Sequence, residues 1–133
     1  MTKAGTKIVM LLLTVIVGAA LLAPYTDYQD VLDQNDCGRD LYCFKRTMDG
    51  EMVYRDYWWI YGPIMPYYYS VFYRMLGVSV RSVLIGQCVL LLLCGVLVFL
   101  SAGLFTSPAC ACIAAVVFWI YYPDFPHTYV YTA

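Results

Sequence analysis

The sequence predicts an all-α membrane protein with three transmembrane helices and a large first outer loop carrying two amphipathic interfacial helices. Three observations predict it. The chain of 133 residues is 62% apolar and 13% charged, where soluble domains average roughly 25% charged. No Asp, Glu, Lys or Arg occurs from Ser82 to Pro123, room for two helices of the about 20 apolar residues that a bilayer requires. Every charged residue other than Lys3, Lys7 and Asp124 falls within residues 25–81, so that segment belongs in water.

The first element is the apolar run of residues 8–23, preceded by Lys3 and Lys7. A signal peptide and a first membrane helix share this pattern. Small residues Gly18, Ala20 and Ala23 offer a cleavage-like spacing, but Pro24 follows directly and favours an uncleaved helix. Residues 1–24 are therefore read as a cytoplasmic N-terminus and a first span, with the lysines inside and Tyr25 outside by the positive-inside rule.

Residues 25–81 contain no apolar run long enough to cross a bilayer and form the outer loop. Leu41, Phe44 and Met48 recur at i, i+3 and i+7, the spacing of one helical face, which predicts a helix near 38–49. Asp36 is placed to cap it and Gly50 to end it. A second helix is expected near 63–76, with Pro63 in its first turn and Gly77 just beyond its end. Tyr67, Tyr68, Tyr69, Phe72 and Tyr73 give it an aromatic face suited to the headgroup layer, where such rings collect.

A transmembrane hairpin follows over residues 82–122. Its first arm, 82–105, is long enough to span with some tilt. Thr106-Ser107-Pro108 is a turn in which Ser107 can cap the next helix and Pro108 can open it. The second arm, 108–122, is shorter and ends in Phe118, Trp119, Tyr121 and Tyr122, before Pro123 and Pro126. Residues 123–133 form an outer tail, and a tyrosine-rich end at Ala133 suggests a truncated chain.

Composition excludes several functions. A formal net charge of −1 gives no broad basic surface for a nucleic acid backbone. Four of the six cysteines, Cys88, Cys94, Cys110 and Cys112, lie in the charge-free stretch, where free thiols behave as small apolar residues. Cys37 and Cys43 are six residues apart, about 240° around a helix, so a disulfide between them would need local unwinding. His127 is the only histidine, which leaves no histidine-based metal cluster and no conventional Ser-His-Asp set. No cofactor is indicated.

Chemistry must then lie in the outer loop. Asp27, Asp30, Asp33 and Asp36 recur every third residue. Several carboxylates suit a hard cation, but the loop pattern of an EF-hand would put Glu where counting from Asp33 gives Phe44. A solvated acidic turn with at most one specific carboxylate fits better. In the string from Met48 to Ser82, Tyr57, Trp58, Trp59 and Tyr61 have the amphipathic rings used both for packing on sugars and for anchoring in headgroups. Gly62-Pro63 sets a turn, and Arg55 and Asp56 are expected to pair.

In order, the loop reads Asp36-Cys37-Gly38, a short helix, DGEMVYRDYWWIYGP over residues 49–63, a tyrosine-rich helix, Leu76-Gly77, and Arg81 before the next span. This order resembles the N-terminal part of bacterial C-type membrane glycosyltransferases, relatives of protein mannosyltransferases and aminoarabinose transferases. The resemblance covers nearly all of this chain and about a quarter of such an enzyme. It implies transfer of a sugar from a polyprenyl phosphate donor at the periplasmic face of the inner membrane, with the donor as substrate, the acceptor open and the isolated chain inactive. It places the general base on Asp36. Relatives carry an acidic pair where this chain has Asp36-Cys37, so Asp40 is the runner-up and Asp33 a further alternative. A carboxylate within hydrogen-bond reach can take the acceptor hydroxyl proton, and basic groups stabilise the leaving phosphate. Arg55, Arg74 and Arg81 are the candidates for the phosphate, with Asp56, Trp58, Trp59 and Tyr61 beside them for the sugar. Two other classes compete: a non-enzymatic membrane scaffold, and a transporter or flippase fragment. The last expects polar residues inside the spans, where only Gln87 and a few serines occur.

Overall fold

A computed structural model describes residues 3–27 and 37–121. Within them the chain is all-helical: α1 (Lys3–Leu22), a 3-10 turn (Ala23–Asp27), α2 (Cys37–Met48), α3 (Ile64–Leu76), α4 (Val80–Phe105) and α5 (Pro108–Tyr121). Two stretches are long and apolar enough to cross a membrane, Gly5–Thr26 and Val80–Phe105. At 1.5 Å per residue α4 is about 39 Å long, against a hydrocarbon core of about 30 Å. α5, at about 21 Å, is shorter than that core.

The helix ends follow from local chemistry. Gly50 and Gly77 have φ of 101° and 88°, a region that costs an L side chain strain but suits glycine. The Gly77 N–H donates to Tyr73 O at 3.0 Å and closes α3. Ser107 Oγ accepts from Cys110 N at 3.4 Å at the start of α5. α4 begins two residues before the expected Ser82, because Ser79 Oγ accepts the Ser82 N–H at 3.2 Å and caps the helix one turn earlier. Arg81 therefore stands in the first turn of α4 rather than ahead of it.

The described chain forms two compact units. One comprises α1, α4 from Cys88 onward, and α5. Its core gathers Leu22, Leu91, Phe99, Ala111, Ala115 and Trp119. Trp119 Nε1 donates to Leu91 O at 2.9 Å, and its ring lies where a Cβ on Gly18 or Gly95 would fall 2.5 Å or 2.2 Å away. Two glycines thus open the space that lets one tryptophan tie α1, α4 and α5 together. Thr14 Oγ1 returns to Met10 O at 2.7 Å, so its hydroxyl is satisfied inside an apolar helix.

The second unit is α2, α3, the turn between them, and α4 up to Gln87. α2 buries Asp40, Cys43, Phe44 and Thr47, the neighbouring positions of one helical face. Phe44 sits at the centre, stacked on Tyr69 at 4.8 Å and near Trp59 and Tyr73 at 5.9 and 6.5 Å. Leu41 and Met48 pack on the edge of this cluster. Burying one such aromatic ring stabilises by about 1.5–3 kcal/mol. α4 passes close to α3 at Gly86, where a Cβ would lie 3.0 Å from the Phe72 ring.

The aromatic face of α3 is divided, with Tyr67 exposed and Tyr68 and Phe72 half-buried, which corrects the expectation for Tyr69 and Tyr73. Tyr69 and Tyr73 point into the core and are buried, as are Met65 and Pro66. The exposed row is Ile64, Tyr67, Val71 and Met75, within about 80° of one another on the helix. α3 is apolar on both faces, so the choice of inner face fell to the partner: the flat rings match Phe44 of α2.

Candidate functional site

The turn from Asp49 to Pro63 holds most of the residues expected to bind substrate, and Arg46 organises it from the last turn of α2. Its guanidinium pairs with Glu51, donates through Nη2 to Asp56 O at 2.7 Å, and lies over the Tyr57 ring at 5.0 Å. Tyr57 in turn shares a buried hydrogen bond with Thr47, and burial raises its phenol above the usual range. Val53 and Tyr57 close a single bridge, with Tyr54 between them at φ 67°. That is a strained position for a non-glycine residue, held by the Tyr54 N–H donating to Tyr57 O at 3.0 Å and by the Tyr54 hydroxyl donating to Tyr61 O.

Arg55 and Asp56 form the expected pair, with Arg55 Nε and Nη2 donating at 2.9 and 2.7 Å. Asp56 also accepts from Met52 N at 2.8 Å. The Arg55 guanidinium, and then the Met52 N–H, hold the Asp56 carboxyl down to about 2. This carboxylate fixes the turn and is ionised at neutral pH.

The neighbouring tryptophans separate. Trp59 is 3% exposed, donates from Nε1 to Gly62 O at 3.1 Å, and meets Tyr61 edge-on at 5.5 Å. Trp58 is 78% exposed. Of the candidate rings, Trp58 alone presents its surface broadly; Trp59 holds the turn and Tyr61 braces it.

Arg74 is exposed and donates through Nη2 to Met48 O at 3.0 Å, tying α3 to the end of α2. Arg81 is exposed on the first turn of α4. Asp40 is fully buried, with Arg39 Nε donating to it at 2.9 Å, so it has no path to an acceptor in this conformation. Asp36, Asp30, Asp33, Asp124 and His127 lie outside the described residues, as does the side chain of Asp27. Cys43 is a free thiol that burial pushes above its ordinary pKa, and burial raises the Tyr73 phenol to about 12. Among the described residues no three His, Cys, Asp or Glu side chains group to hold a metal.

Two contributors escaped sequence reasoning. Arg46 has no part in the sequence reading, because its partners lie five to eleven residues on, in a turn whose path periodicity does not give. Gln87 was noticed as a polar residue in an apolar helix, but its partner Tyr69 belongs to another helix. No protein-family model matches the chain, and neither a curated protein nor a solved structure does.

Proposed function

We propose that this chain is the N-terminal portion of an integral-membrane glycosyltransferase that moves a sugar from polyprenyl phosphate to an acceptor at the outer face of a bacterial inner membrane. The supporting observation is the folded module of α2, the Arg46-organised turn and α3, inserted between two helices fit to span a membrane. It has the order of parts that the resemblance requires. In this reading α1, α4 and α5 cross the bilayer, the N-terminus is cytoplasmic and the module is periplasmic. α2 and α3 sit at the interface, with Ile64, Val71 and Met75 toward the headgroups, because exposed aliphatic rows are stable only against an apolar phase.

Asp36 serves as general base. It takes the acceptor hydroxyl proton as the acceptor oxygen bonds to the anomeric carbon and the bond to the polyprenyl phosphate oxygen breaks. The buried, Arg39-bound Asp40 has a structural part. Arg74 and Arg81, both exposed, serve the leaving phosphate in this reading. Arg55 is committed to Asp56 and serves the turn. Trp58 offers its open ring face to the sugar.

The test is transfer of radiolabelled sugar from polyprenyl phosphate in membranes of cells expressing the gene that encodes this chain. Asp36→Asn should abolish transfer and leave membrane integration intact. Transfer at the wild-type rate by Asp36→Asn removes that residue from the role, and no transfer by wild type removes the reading.

The second reading is a non-enzymatic membrane scaffold. Trp58, Ile60 and Ile64 are all exposed within seven residues of sequence, and tryptophan is enriched at interfaces. It predicts no sugar transfer and a protein cross-linked through position 58.

A further inference from the structure

The unit built by α1, α4 and α5 contains a groove of about 260 Å³ at the end where α1 begins and α4 finishes, lined by Lys7, Leu11, Phe99, Leu100, Gly103 and Pro108 among others. Gly103 forms part of its wall, and a Cβ on it would meet only Ala111 Cβ, at 3.9 Å. The walls are hydrocarbon apart from Lys7, which is exposed. Among the described residues no carboxylate pairs with it. Lys7 directly precedes the apolar run that opens at Ile8, the depth at which a lysine reaches headgroup phosphates while its stem stays among the chains.

We propose that this groove binds an anionic phospholipid, one acyl chain lying along Leu11, Phe99 and Leu100 and the phosphate resting on the Lys7 ammonium. In a bilayer the groove faces hydrocarbon, so an acyl chain fills it without dewetting a polar wall. The Lys7 ammonium at its mouth selects the headgroup charge, as basic pockets between membrane helices do. The inference rests on membrane placement of α1 and α4 and is independent of sugar transfer.

The experiment titrates the protein, purified in mild detergent, with phosphatidylglycerol or with phosphatidylcholine of the same chains, reading bound lipid by native mass spectrometry. Wild type should bind phosphatidylglycerol about fivefold more tightly, the worth of one lysine near a charged headgroup. Lys7→Ala should erase that preference, and Lys7→Arg should keep it. Leu100→Trp, which fills the groove from a half-exposed position, should weaken both lipids. Equal binding of the two lipids by wild type, or an unchanged preference in Lys7→Ala, overturns the proposal. So does unchanged binding in Leu100→Trp, which would mean annular lipid only. Extraction of the wild-type protein by alkaline carbonate would instead overturn the membrane placement beneath it, and is read separately.

Discussion

The Tyr69 hydroxyl donates to Gln87 Oε1, and both side chains are buried. One polar atom from α3 thereby satisfies the amide that interrupts the apolar sequence of α4. A glutamine in so apolar a helix invites a transport reading, and this bond supplies a structural reason for it instead. Tyr69→Phe leaves a buried carbonyl oxygen without that donor and should cost about 1–3 kcal/mol. Gln87→Leu should cost a similar amount by stranding the phenol. The double variant should lose clearly less than the sum of the two single losses, because neither group is left behind. Thermal unfolding in detergent of the wild type, both single variants and the double variant checks the cycle. Strict additivity would mean the two side chains do not depend on each other.

Phe44 is the centre of the outer module, in ring contact with Trp59, Tyr69 and Tyr73. Phe44→Ala should cost about 3–5 kcal/mol, enough to unfold a small unit. Limited proteolysis should then cut the turn between α2 and α3 at protease levels that spare the wild type. α1 and α4 should still partition with membranes, since their apolar length does not depend on Phe44. Phe44→Leu should be milder, because it keeps much of the volume.

Punctuation residues made most of the fold readable. Gly50, Gly77, Ser107 and Pro108 act through their own backbone chemistry, and the bounds of α2, α3 and α5 lie within a residue of where they point. Where the outcome depended on a partner, sequence was less informative. α3 is apolar on both sides, so nothing local told that Tyr69 and Tyr73 face Phe44 while Ile64 and Met75 face out. Trp58 and Trp59 are adjacent and of one type, and only the path of the turn separates them into an exposed and a buried ring. Asp40, the runner-up base by resemblance, is buried beside Arg39, and that burial depends on how α2 docks. The candidate base Asp36 lies outside the described residues.

Asp56 gives the module an acid limit. Its folded pKa, about 2, lies below its ordinary value of 3.8, so the unfolded chain binds the proton more readily. The carboxylate therefore stabilises the fold above about pH 4, and that contribution is lost as the pH falls toward 2. Melting temperatures between pH 5 and pH 2 should fall more steeply for wild type than for Asp56→Asn, whose amide oxygen can still accept from Met52 N. Parallel curves would mean that the Arg55 pair does not outlast solvent screening.

The packing of Trp119 makes the sharpest prediction for the apolar unit. A Cβ at Gly95 would fall 2.2 Å from the indole, and one at Gly18 2.5 Å from it, both far inside contact distance. The ring is rigid and held by its bond to Leu91 O, so it cannot swing clear without giving up that bond and opening the α1–α5 contact. Gly95→Ala and Gly18→Ala should each destabilise by about 1–3 kcal/mol, the usual cost of overpacking, and each should shift the Trp119 emission in a background where Trp58 and Trp59 are phenylalanine. Gly103→Ala, whose Cβ meets only Ala111 at 3.9 Å, is the control and should be nearly neutral. Combining Gly95→Ala with Trp119→Leu should recover stability relative to Gly95→Ala alone, since removing the ring removes the clash. Failure of that rescue would mean that glycine at position 95 serves the backbone of α4 rather than the tryptophan.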